Sequence, residues 1–384
     1  MRTFTIASGA ELFAATIALG HSRSLEITAA ELKQIAGANR RGSLERWLIA
    51  GPADSAPEPD NAPADKTGWV PARLKLIGGE AFVDWSWLGD TRFIDPFFDS
   101  TIQAAQRSPF NALFTYRTPI AALGEWYNLS PGLAPDGFIF HMSRCGSTLV
   151  SQMLASMPGA VVISEAGPLD WLARASGVPE TSRADWFRWM AGALGQKRSG
   201  KETRYFIKFD SITAIALPLI RSVFPAVPWI FLYRDAEEVL VSQMREPATA
   251  MTPGFMNDVT VVAASAGITH EDYAARVIGR LCEHAAREIG ETGLPVNYTE
   301  LPAAVYGSIA RHFSLEISPE DLARMTATAA RHSKHPRREF EPDGESKRAE
   351  ASDALRDAAA RWISPHCEEL KRPEPQAING LRNK

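Results

Sequence analysis

Gly137-Phe-Ile-Phe-His-Met-Ser-Arg-Cys-Gly-Ser-Thr-Leu-Val150 decides the reading of this chain. The apolar run from Gly137 to His141 has the length and composition of a buried strand. It breaks into Ser143-Arg144-Cys145-Gly146-Ser147-Thr148, and an amphipathic segment over 149–157 follows until Pro158-Gly159 stops it. A strand, a tight polar turn and a helix make an anion site, because the first helical N–H groups have no intrahelical partner and the helix dipole favours negative charge there. Gly146 allows close backbone approach, Ser147 and Thr148 add hydroxyl donors, and Arg144 supplies a fork matched to phosphate or sulfate oxygens. The expected ligand carries a phosphate-like group.

The turn departs from a triphosphate site. A nucleoside-triphosphate loop places lysine directly after its second glycine. Here Ser147 fills that position, and the cation, Arg144, precedes Gly146. A thiol-phosphatase loop would need arginine six residues after its cysteine, where Ser151 stands. Cys145, beside Arg144 at a helix start, is expected to have a lowered thiol pKa.

Downstream, short apolar runs at 138–141, 160–163, 205–209, 229–233 and 295–298 read as strands. Helical patterns at 149–157, 212–223, 237–244, 273–289, 303–313 and 319–330 alternate with or follow them. Such alternation predicts a parallel sheet covered on both faces. The run Trp229-Ile-Phe-Leu-Tyr-Arg234 is a buried strand ending in arginine, with Ser242 on the helix beyond it. Ligands of open α/β sheets sit outside the carboxyl ends of the strands, so Arg234 would share an edge with the Arg144 turn. Two anion stations on one edge suit a ligand with two separated phosphate-like groups. The plainer reading of Arg234 is an ion pair with Asp235 or Glu238.

In this setting the pattern Ser143-Arg-Cys-Gly-Ser-Thr-Leu149 resembles the 5′-phosphosulfate loop of sulfotransferases that use 3′-phosphoadenosine 5′-phosphosulfate (PAPS). Phe224-Pro225 leading into Trp229–Arg234 is similar to the family's next stretch, as are Phe206-Ile-Lys208-Phe-Asp210 and Tyr298-Thr-Glu300-Leu301, although Thr299 intrudes in the last. The resemblance runs over roughly 137–370, and an arginine in the turn is closest to the protein-tyrosine and carbohydrate members.

It implies a three-layer, P-loop NTPase-like α/β fold with a central parallel sheet flanked by helices, plus an N-terminal extension. It also implies transfer of a sulfuryl group from PAPS to a hydroxyl acceptor on a small molecule, glycan or peptide, with PAP (3′-phosphoadenosine 5′-phosphate) as product and no metal. Arg144, Cys145, Gly146, Ser147, Thr148 and Leu149 would hold the phosphosulfate, and Arg234 with Ser242 the 3′-phosphate. Glu165, just past the second strand, would be the base, its pKa raised by partial burial to work near neutrality. The alternative for Glu165 is a loop carboxylate capping a helix near Pro168. Lys208 would stabilise charge on the departing oxygen, or else pair with Asp210. Ser333, Lys334 and Arg337, in a basic stretch that otherwise reads as a solvated loop, would close over the cofactor. Two other readings stay open: a P-loop kinase or NTPase, and a non-catalytic nucleotide-binding protein.

Composition sets the frame. With 384 residues, 45% apolar and 22% charged, the chain can bury a sizeable core. A net charge of −4 argues against a nucleic-acid surface. Three cysteines, Cys145, Cys282 and Cys367, show no metal or disulfide spacing, which suits a reducing, cytoplasmic setting. The apolar stretch at 12–19 lacks signal-peptide flanks, and no run reaches transmembrane length. The expected organisation is a small helical segment at 1–50, a Pro/Ala/Asp-rich linker at 51–68, an aromatic-rich extension at 69–132 and the sulfotransferase-like domain at 133–384. The aromatics of the extension read first as ordinary core and second as an acceptor surface. His141, at a strand end, reads as structural. The pattern at 352–363 reads as a surface helix ended by Pro365.

Overall fold

The computed structural model describes residues 67–108, 110–111, 116–253, 268–331 and 344–371. The expected N-terminal helix, most of the linker, and Ser333, Lys334 and Arg337 lie outside the described residues.

The extension is a three-stranded antiparallel meander, β1 (Trp69–Ile77), β2 (Glu80–Trp87) and β3 (Tyr116–Pro119), in the order β1-β2-β3. Gly78 and Gly79 both have positive φ, 60° and 89°, and close the two-residue hairpin between β1 and β2. α1 (Phe98–Gln106) and α2 (Ala121–Leu129) accompany the sheet. Trp69, Trp85, Trp87, Phe93, Phe98, Phe110 and Trp126 are buried, so this aromatic-rich stretch is chiefly core. Trp85 Nε1 donates to Thr118 Oγ1 at 3.0 Å and its ring lies 5.0 Å from that of Trp126. Asp84, buried on β2, takes Arg117 of β3 at 2.5 Å.

The larger sheet is parallel throughout, with β4 (Gly137–His141), β5 (Ala160–Ser164), β6 (Arg204–Lys208), β7 (Trp229–Tyr233) and β8 (Gly293–Asn297) in the order β5-β6-β4-β7-β8. Every residue of β4, β5 and β7 is buried, as expected of strands covered on both faces. The flanking helices include α3 (Ser147–Ala155), α4 (Gly167–Arg174), α5 (Glu180–Leu194), α6 (Leu217–Val223), α7 (Ala236–Arg245), α8 (His270–Glu288), α9 (Pro319–Ala329), α10 (Gly344–Glu350), α11 (Asp353–Trp362) and α12 (Ser364–Leu370). α8 buries Ala274, Val277, Ile278, Leu281, Cys282 and Ala285, a stripe at helical spacing, each larger aliphatic contributing about 1.5–3 kcal/mol of burial.

Several helices differ from the sequence reading. The pattern at 212–223 splits into a 3₁₀ turn, Ser211–Ala216, and α6, because Pro218 has no N–H to continue the ladder into the earlier turn. Pro365 does not end a helix but opens α12, where its missing N–H costs nothing. α5, which starts after Pro179 and ends at Gly195, was not anticipated.

The topology creates the site. From β4 the chain passes to β5 and returns through β6 on one side, then crosses to β7 on the other. The carboxyl end of β4 is therefore the switch point of the sheet, where an open α/β fold leaves a crevice.

Candidate active site

The turn after β4 is built from unusual backbone. Ser143, Arg144 and Gly146 have φ of 75°, 51° and 86°. Of the four non-glycine residues with positive φ among the described residues, three, Ser143, Arg144 and Glu165, are at this sheet edge, where such strain marks functional segments. Gly146 is required on two counts. Its φ is left-handed, and a Cβ there would meet Leu301 Cδ1 at 2.8 Å and Tyr298 Cδ2 at 2.9 Å. Backbone thus packs directly against the Tyr298 ring, and α3 starts at Ser147 with the hydroxyl residues Ser147 and Thr148 buried.

Gln243, wholly buried on α7, braces the turn. Its Nε2 donates to Ser143 Oγ at 2.9 Å and its Oε1 accepts from the Ala248 N–H at 3.0 Å. Sequence reading missed Gln243, since a lone glutamine on a helix carries no signal.

Arg144 turns toward the end of α7. Its NH1 lies 2.8 Å from Glu246 Oε2, and NH2 reaches the Glu246 carbonyl. Arg234 stacks 4.0 Å over the Tyr298 ring, and its Nε donates to Glu238 Oε2 at 2.6 Å, so the plainer pairing with Glu238 is realised. Glu238 also takes Arg348 from α10, and Ser242 is half-buried one turn further along α7. The two arginines share the edge as expected, but each is neutralised by a carboxylate of this chain.

Cys145 corrects the sequence reading. Its buried Sγ donates to the Leu232 carbonyl at 3.1 Å, and burial pushes the thiol up to about 12. The helix start and the nearby cations do not compensate for the desolvation.

β6 lies between β5 and β4, so its end joins Glu165 to the turn. Glu165 follows β5 with φ 56°, and its N–H donates to the Lys208 carbonyl at 2.7 Å. Its carboxylate accepts from Lys208 Nζ, which is fully buried (0% exposed against 24% for Glu165) and sits 5.2 Å above the Phe97 ring. Asp210 caps the following 3₁₀ turn, so the Lys208–Asp210 pairing weighed above is not formed. Burial pushes the Glu165 carboxyl up, but the Lys208 ammonium and then His141 outweigh it and hold the group well below the carboxylate range. The expected raised pKa is overturned for this reason, and Glu165 is an ionised carboxylate at neutral pH.

His141, the last residue of β4, completes the cluster. Its Nδ1 accepts from the Ser143 N–H at 3.0 Å and its Nε2 lies 3.6 Å from Glu165 Oε1. Burial, with Lys208 adding to it, lowers its pKa against the opposing pull of Glu165. Behind the cluster, buried Asp170 of α4 accepts from Thr213 Oγ1 at 2.7 Å and from the Asp210 N–H at 3.1 Å.

These features place a strained, glycine-containing turn at the switch point of a parallel α/β sheet, flanked by a carboxylate, an ammonium and an imidazole. No family model and no curated protein matches the chain. Among solved structures, a sulfotransferase from Mycobacterium avium aligns at 13% identity and TM-score 0.41, covering 63% of this chain and 81% of that one. A sulfotransferase from Mycobacterium tuberculosis H37Rv aligns at 16% identity and TM-score 0.37, over 54% and 75%. Retinol dehydratase, solved with retinol and PAP, aligns at 13% identity and TM-score 0.36, over 68% and 89%.

Proposed function

We propose that this chain is a PAPS-dependent sulfotransferase acting on a hydroxyl acceptor. The observation that carries the reading is the junction of two features at neighbouring strand ends. One is an anion turn with arginine before its glycine and no lysine after it; the other is the ionised Glu165 held by Lys208. The residues fit the ligand's two anionic ends. Gly146 brings backbone N–H groups close, Ser147 and Thr148 supply hydroxyls, and Arg144 can exchange its Glu246 partner for the phosphosulfate. In this reading Arg234 and Ser242 take the second phosphate, with Arg234 exchanging Glu238 in the same way.

PAPS supplies the activated sulfuryl group, whose bond to the phosphate oxygen breaks as a bond to the acceptor oxygen forms. This chain's residues orient, neutralise charge and take a proton. Glu165 receives the acceptor's proton. A low-pKa carboxylate suffices because, in a loose transfer resembling phosphoryl transfer, the hydroxyl becomes acidic only as its new bond forms. Lys208 holds that carboxylate in place and adds positive potential beside the departing oxygen.

Calorimetric titration with PAP and with ATP, with and without magnesium, tests the reading together with transfer from radiolabelled PAPS. PAP binding with metal-independent transfer is expected. Magnesium-dependent ATP binding without PAP binding would replace the reading with a kinase or NTPase. PAP binding with no transfer to any of a panel of phenols, sterols and sugars would leave a non-catalytic nucleotide-binding protein.

A further inference from the structure

His141 was read from sequence as a structural strand residue, and its surroundings assign it more. The Nδ1 lone pair is occupied by the Ser143 N–H, so the neutral ring carries its proton on Nε2. That Nε2 is buried and has no hydrogen-bond partner among the described residues. Buried donors are rarely left unsatisfied, and each such group calls for an explanation. The polar atom it faces is Glu165 Oε1, 3.6 Å away, a gap of the kind that closes when a ligand tightens a site.

Lys208 addresses the same oxygen. Both neighbours thus converge on Oε1, and Oε2 is left to meet an acceptor hydroxyl. We infer that His141 is a positioning residue that donates Nε2–H to Glu165 Oε1 and, with Lys208, fixes Glu165 so that Oε2 receives the proton. The catalytic half of this inference rests on Glu165 being the base; the hydrogen-bond half does not.

Ser143 links the histidine to the anion turn, since its N–H holds the imidazole while its Oγ is held by Gln243. An anion settling on the turn would therefore be felt at Glu165 through one backbone amide and one ring. The charged groups acting on the cluster are Lys208 from β6 and Asp210 beyond it, while the carboxyl of Asp170 from α4, its pKa raised by burial, lies behind them. Among the described residues, the Glu165 carboxylate is approached by the side chains of Lys208 and His141.

The test uses the full chain labelled with ¹⁵N-histidine, the His141 signals being those lost in His141→Gln. A neutral ring with its proton on Nε2 is expected at pH 7 and above, with the Nε2–H signal moving on PAP addition and moving again in Glu165→Gln. A proton on Nδ1, a charged ring at pH 7, or an Nε2–H indifferent to Glu165→Gln would overturn the inference. For PAPS turnover with 2-naphthol as acceptor, His141→Phe should lower kcat about tenfold or more with the KM for PAPS nearly unchanged. Its acidic limb should move to higher pH, because an N–H that favours ionised Glu165 has gone. His141→Gln, which keeps an N–H in place, should restore both. Equal loss in the two variants with an unmoved limb would mean a structural histidine. If the wild type binds no PAP and turns over no PAPS, the proposed function falls, while the ring's tautomer and its response to Glu165→Gln still decide the hydrogen bond.

Discussion

Glu165 is joined to Lys208 twice: its backbone N–H donates to the Lys208 carbonyl at 2.7 Å, and its carboxylate accepts from the Lys208 ammonium. The first bond extends the β5–β6 ladder past its end, and the second places a fully buried charge against the one carboxylate that reaches it among the described residues. Removing one partner of such a pair leaves an uncompensated buried charge, at a cost of about 3–5 kcal/mol. Glu165→Leu should therefore destabilise strongly in urea titration, and Glu165→Leu with Lys208→Met should recover much of the loss. Glu165→Gln, which keeps an oxygen for the ammonium, should fold well, bind PAP and transfer little sulfate. Full transfer by Glu165→Gln would exclude Glu165 as the base. Because the folded carboxyl lies below its usual value of 4.5, the pair's stabilisation is present above that value and fades as pH falls beneath it.

Gly146→Ala probes the cradle. The added Cβ meets Leu301 and Tyr298 under 3.0 Å at a residue with φ 86°. Left-handed strain and overpacking together should lower stability by about 1–3 kcal/mol and weaken PAP binding more than tenfold. A variant that binds PAP like the wild type would show that the turn's amides do not hold the ligand.

Glu246→Gln probes the partner that occupies Arg144. Glu246 is 78% exposed, so this pair contributes little to folding, within about 1 kcal/mol. With its carboxylate gone, Arg144 no longer has to leave an ion pair, and PAP should bind several-fold tighter at low salt, the gain shrinking as salt rises. Calorimetry at two ionic strengths measures it, and weaker binding would place Arg144 outside the ligand site.

Asp170 sets a pH dependence of the opposite sign to that of Glu165. Burial, with Asp210 beside it, pushes its carboxyl from 3.8 up to about 8. A raised folded pKa means the folded state keeps a proton that the unfolded state loses, so stability falls as pH rises through that window, by at most about 1.4 kcal/mol per pH unit. Asp170→Asn keeps an oxygen for Thr213 and the Asp210 N–H and removes the titration. Its melting temperature should gain on the wild type from pH 5 to 8; parallel curves would mean Asp170 is ionised in the fold.

Cys145, with its thiol pushed up to about 12 by burial, should resist iodoacetamide at pH 8 in the folded protein and react after denaturation. Mass spectrometry of the peptide reads this out, and rapid native alkylation would contradict the buried Sγ–Leu232 contact.

The parallel sheet was legible in the sequence because buried strands are continuous apolar runs, as in Trp229–Tyr233, and the helices between them carry a separate period. The extension's antiparallel strands were not legible. Trp69, Trp85 and Trp87 read as a dense aromatic stretch, and what makes them a sheet is strand pairing: Trp69 of β1 lies opposite Trp87 of β2, and Trp85 of β2 opposite Tyr116 of β3, some thirty residues on. The Arg144 turn and Arg234 were named from position relative to strand ends, where a parallel sheet presents side chains to a ligand, while the roles of Glu165 and Lys208 came with the family resemblance.

Sequence by itself determined the class of fold, the edge on which the site lies, and the need for glycine at position 146. Local pattern is enough for these, because periodicity and turn chemistry act over a few neighbouring residues. Tertiary structure alone decided which charges meet. Glu246 takes Arg144, Glu238 takes Arg234 and Arg348, and Lys208 takes Glu165 in preference to Asp210. It also decided the ionisation of the site, lowering Glu165 and raising Cys145 against the sequence expectation. Both outcomes depend on burial and on distances between residues far apart in the chain, and neither is carried by local pattern.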